Sequence, residues 1–134
     1  MKNSFYARLL SFASFLGAMG VICGAFGAHF LKSRLAASDL DIIRTGVLYL
    51  FIHVLIIFIV ALLARDNVQS RLLKSSGVFF VLGVFLFSGS LFIIATQSLT
   101  GINASFIGVV TPLGGLCFIL GWTMLFIYSV LLKS

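Results

Sequence analysis

The chain has 134 residues, 61% of them hydrophobic, and nine Lys+Arg against three acidic residues, a formal charge of +6. That length suits one domain, residues 1–134, and the short polar connections leave no room for a separate soluble catalytic domain. A basic excess in a soluble protein would raise nucleic acid as a partner, but these bases cluster at the ends of apolar runs, where membrane topology accounts for them.

The first apolar run is Leu9–Leu31, and it carries no Asp, Glu, Lys or Arg. It exceeds the roughly 7–15 apolar residues of a signal peptide, so it reads as a retained membrane helix. Gly17, Gly20, Gly24 and Gly27 alternate spacings of three and four, as does Ala13 before them, and so share one helix face. Such a small-residue face predicts close helix packing, within one chain or across a homo-oligomer seam. His29 lies near the outer end of the run, and with Lys32 and Arg34 it forms a basic cluster suited to snorkelling or to a phosphate headgroup.

Ser38-Asp39-Leu40-Asp41 has the spacing of a capping box with Asp in the place of Glu, which predicts a second helix starting near Asp39. Its apolar run is Gly46–Ala64. Thr45, Tyr49 and His53 follow one another by four residues, a polar stripe that is expected to face other helices rather than lipid. The third run, Gly77–Ala95, holds Ser88 and Ser90, and Ser76, Gly83, Ser90 and Gln97 recur at intervals of seven. The fourth, Phe106–Leu132, contains Thr111 and the only proline, Pro112, where a kink is expected. Gly108, Thr111, Gly115 and Trp122 share one of its faces; Gly114, Cys117, Gly121 and Tyr128 share another.

Four such runs predict an all-α integral membrane protein, a four-transmembrane-helix bundle. With four spans, the N-terminus, the second connection and the C-terminus share one side. That side carries Lys2, Arg8, Arg65, Arg71, Lys74 and Lys133; the other carries Lys32, Arg34 and Arg44 with Asp39 and Asp41. The positive-inside rule then places both termini in the cytoplasm.

Counted at about 1.5 Å per residue, Cys23, His53, Ser88, Ser90 and Thr111 lie about 8–12 Å below the same outer surface, and His29 about 3 Å. The cytoplasmic halves are comparatively plain. His29, Tyr49, His53, Ser88, Ser90 and Thr111 are therefore the candidate binding residues, open to two readings: hydrogen bonds between helices, or a cavity for a lipid or small apolar ligand. No metal is expected, because no paired ligand motif or carboxylate joins His29, His53 and Cys23. No catalytic residue is named, because no acid is available to orient His53 for Ser88 or Ser90. Cys23 and Cys117 sit inside spans and read as free thiols. Proton-coupled four-span exporters use an intramembrane Glu that this chain does not have.

The motifs Gly24-Ala-Phe-Gly-Ala-His29, Tyr49-xxx-His53, Leu86-Phe-Ser-Gly-Ser-Leu91, Thr111-Pro-Leu-Gly-Gly115 and Gly121-Trp122 occur in this order along nearly the whole chain. Together they resemble the small inner-membrane family called domain of unknown function 423. The resemblance implies a bacterial four-span protein of the inner membrane and no known activity. The chain departs from the pattern at Phe30 and Gly46, where smaller and larger residues respectively are common. The reading is of an uncharacterised, non-enzymatic protein acting through helix packing or lipid contact. Membrane lipids are its expected partners, with a homo-oligomer or membrane-protein partner open and no cofactor. The alternative is a small transporter or ligand-binding protein with a polar cavity in the periplasmic half.

Overall fold

The computed structural model describes residues 4–132. Lys2 and Lys133, which entered the charge comparison, lie outside the described residues. Four helices dominate: α1 (Ser4–His29), α2 (Ala37–Asp66), α3 (Arg71–Thr100) and α4 (Val110–Leu131), the last preceded by a 3₁₀ turn, Ile107–Val109. All four spans are long and apolar enough to cross a membrane.

The helix ends follow from local chemistry, though not always from the chemistry expected. α2 begins two residues before the predicted start, at an extended Ala36 with no side-chain cap. Ser38 is therefore already inside the first turn and the expected capping box does not form. Asp41 instead meets Arg44 at 2.7 Å. Asn67 ends α2 by donating from Nδ2 to the Leu63 carbonyl at 3.0 Å. Ser70 caps α3, its Oγ accepting from the Leu73 N–H at 3.3 Å. α3 stops at Gly101, whose φ of 71° lies in the left-handed region that glycine enters at no steric cost.

α1 packs along α2, α2 along α3, and α3 along α4. No Cα of α4 comes within 8 Å of α1 or α2 among the described residues, so α2 and α4 meet only through side chains. The central core joins Leu9, Ala13 and Leu16 of α1 to Leu50, Val54 and Ile57 of α2, with Phe80 and Val84 of α3 and Phe118 of α4. The outward faces are apolar as well: Phe15, Leu55, Phe85 and Phe126 are all exposed. A helix apolar on every side suits lipid as the surrounding solvent.

All four α1 glycines look at α2. A Cβ on Gly20 would stand 2.6 Å from Leu50 Cδ2, and one on Gly27 would stand 2.8 Å from Ile43 Cγ2. At Gly17 and Gly24 the same atom would lie 3.6 Å from Val54 and Val47. The glycine face is thus occupied within the chain.

The helical irregularity does not fall where proline predicted it. Pro112 is the third residue of α4, which runs unbroken from Val110. Its missing N–H falls among the first-turn donors that a helix leaves unpaired anyway, so it forces no kink. α3 instead contains a π-helical turn at Val84–Ser88, with the Gly89 N–H bonded to the Val84 carbonyl. Gly114 of α4 lies against the backbone of this turn, where an added Cβ would overlap Phe87 N and stand 2.8 Å from Leu86 C.

Candidate functional site

The polar residues of the spans form separate junctions rather than one continuous layer. Ser88 ends the π turn and donates to the Gly46 carbonyl of α2 at 2.8 Å. Ser90 donates to the Phe87 carbonyl at 2.9 Å and lies 2.7 Å from Thr111 Oγ1 of α4. A serine hydroxyl has one proton; with it given to Phe87, the Ser90 oxygen accepts from Thr111. Both serines are buried.

His53 joins α2 to α4. Its Nδ1 lies 2.7 Å from the Tyr49 carbonyl, and the Trp122 indole N–H reaches its Nε2 at 3.4 Å. A carbonyl only accepts and an indole N–H only donates, so both contacts fit the neutral imidazole protonated on Nδ1. The ring stacks on Phe118 with centroids 3.5 Å apart and planes 8° off parallel. Phe80 lies at 5.7 Å. His53 is only 4% exposed.

Tyr49 stands at the edge of this cluster. Its ring is 4.5 Å from Phe87, and it is partly exposed. Tyr49, His53, Phe87, Phe118 and Trp122 line a surface groove of about 550 Å³ that also touches Pro112. The groove is aromatic rather than polar. His29 takes no part in these junctions: it is exposed at the end of α1.

One further junction lies closer to the end bearing the termini. Ser76 is fully buried and donates to the Gly121 carbonyl of α4 at 2.9 Å. That half, comparatively plain in sequence, therefore holds a buried polar contact of its own. Ser76, Gly83 and Ser90 all face α4: Gly83 leaves room for the Phe118 ring, and Gln97 is exposed. Their spacing of seven had marked this face, whereas nothing in the sequence paired Phe118 or Trp122 with His53. Among the described residues, every buried side-chain nitrogen and oxygen has a hydrogen-bond partner. No three of His, Cys, Asp and Glu gather as metal ligands among them.

A second cavity, of about 480 Å³, opens between α1 and α2 at the end bearing residues 30–36. It is lined by apolar and small residues together with Lys32 and Arg44.

A family model described as protein of unknown function (DUF423) matches residues 23–115. The chain is 37% identical over 112 residues to the UPF0382 membrane protein YwdK of Bacillus subtilis, covering 84% of this chain and 87% of that protein. It is 36% identical over 125 residues to the UPF0382 inner membrane protein YgdD of Escherichia coli, covering 93% and 91%. With a UPF0382 membrane protein of Haemophilus influenzae it shares 38% over 135 residues, covering 100% and 99%. No solved structure matches the chain.

Proposed function

The chain belongs to the DUF423 family of membrane proteins of unknown function, and from that premise we propose that it is a non-enzymatic inner-membrane protein acting through its lipid-facing surface. Its buried polar groups act as braces between helices. The observation that carries this reading is the fate of those groups. Ser76 and Ser88 donate to backbone carbonyls of neighbouring helices, Thr111 meets Ser90, and both His53 nitrogens are engaged. A transport path would need such groups to face water or cargo. Here they face one another, while large apolar side chains point outward. The name inner membrane protein, carried by the Escherichia coli relative, supports the same location for this chain. Charge supports cytoplasmic termini: Arg8, Arg65, Arg71 and Lys74 lie at their end of the spans.

Thiol accessibility tests the bracing. With Cys23 and Cys117 replaced by Ala, Ser90→Cys in proteoliposomes is expected to resist a membrane-impermeant maleimide. Fast labelling would reveal a water-filled layer and contradict the reading.

The groove beside Tyr49 favours one alternative, a small apolar ligand held against the aromatic rings. It predicts a saturable change in Trp122 fluorescence on titration with that ligand, lost in Tyr49→Ala. On the bracing account no such saturable change occurs.

A further inference from the structure

We infer that the cavity between α1 and α2 is a binding site for an anionic glycerophospholipid, its phosphate between Lys32 and Arg44 and an acyl chain below. The inference rests on the lipid-contact reading and adds a location and a headgroup preference to it.

The cavity exists because three neighbouring α1 residues have almost no side chain. Gly24, Gly27 and Ala28 form one wall, and Val47, Leu48 and Phe51 of α2 form the other. At the level of the cations Gly27 closely approaches Ile43: an added Cβ would stand 2.8 Å from Ile43 Cγ2. Two cations stand over this apolar trough. Arg44 and Phe51 are seven residues apart on α2, so the trough descends about 10 Å from the guanidinium level. A volume of about 480 Å³ lies within the roughly 300–1,000 Å³ of small-molecule sites.

Charge selects among the lipids that could fill such a trough. Lys32 and Arg44 are the only charged residues lining it. Arg44 gives Nη1 to Asp41 at 2.7 Å, which leaves Nε and Nη2 as donors. That ion pair is 74% and 67% exposed, so it costs little to rearrange. No acid lies within ion-pairing distance of Lys32 among the described residues. Two donors of positive charge at headgroup depth above an apolar trough complement a phosphate ester with a hydrocarbon tail.

The test is a competition in nanodiscs containing equal phosphatidylglycerol and phosphatidylethanolamine. The full chain is released from them, and the lipid it retains is identified by native mass spectrometry. Phosphatidylglycerol is expected to be retained in preference, with the preference falling roughly fivefold for each cation removed in Lys32→Gln and Arg44→Gln. Arg71→Gln at the opposite end is expected to leave it unchanged. Ala28→Leu fills the trough without altering charge and is expected to lower retention of both lipids. All four positions are exposed, and thermal melting confirms that each variant is folded. Retained lipid with no headgroup preference, or a preference surviving in the double Lys32→Gln, Arg44→Gln variant, overturns the site but leaves the lipid-contact reading intact. Absence of retained lipid from the wild-type chain overturns both.

Discussion

His53 is braced on three sides, by a carbonyl, an indole N–H and a phenyl face. Removing it by His53→Ala leaves a void against Phe118 and strips Trp122 of its partner. A loss of about 3 kcal/mol is expected, read as a lower melting temperature in detergent. Ser88→Ala is milder, about 1 kcal/mol, because the Gly46 carbonyl sits in a helix and does not depend on Ser88 alone. The glycines separate just as clearly. Gly114→Ala drives a methyl into the α3 backbone, which cannot yield as a side-chain tip would; a cost of about 3 kcal/mol is expected. Gly89→Ala meets nothing within 4 Å and is expected to raise stability by up to about 1 kcal/mol. Of the stripe Thr45, Tyr49 and His53 that the period marked as facing other helices, Thr45 and Tyr49 are exposed, Thr45 donating back to the Asp41 carbonyl of its own helix, and only His53 is buried. The partners of His53, Phe118 and Trp122, were not legible, because in an all-apolar helix no periodicity distinguishes a ring facing a histidine from one facing lipid.

At the scale of elements, α3 is the irregular helix. Its π turn sits where Gly114 presses on the Phe87 backbone and where Ser88 reaches α2. The extra residue sets the register of everything after it, including Ser90 and buried Ala95. Deleting Phe85 removes the one residue that the wide turn absorbs, so plain α-helix is expected to form there with the residues after it still facing their partners. The deleted chain should still extract as a folded species. Pro112→Ala, by contrast, is expected to shift the melting temperature little, since Pro112 lies in the first turn of α4. Span number and approximate position were legible because charge is absent from each run. The π turn was not, since Val84–Ser88 contains nothing that disfavours α geometry. The proline misled because its run, Phe106–Leu132, starts four residues before α4 does. The first of those residues belong to the lead-in and the 3₁₀ turn.

For the whole molecule, the helices form a braced unit whose outer faces meet lipid. The proposed cytoplasmic side of the termini is supported by Arg8, Arg65, Arg71 and Lys74 at that end of the spans. A reporter fused to the C-terminus is expected to read as cytoplasmic in a bacterial host, and a periplasmic signal would reverse the topology. Hydrogen bonds between helices were one of the two readings that the polar residues of the spans allowed from sequence, whereas the cavity between α1 and α2 could not be read there. Glycine spacing gave the face, but not that Ile43, Val47, Leu50 and Val54 would occupy it or that a trough would remain beside them. On the proposed function the protein works through retained lipid. Native mass spectrometry of the protein gently extracted from its own membranes tests this most directly. The predicted spectrum carries bound phospholipid that survives removal of the detergent. A chain that emerges solitary and free of lipid across all extraction conditions would contradict the account.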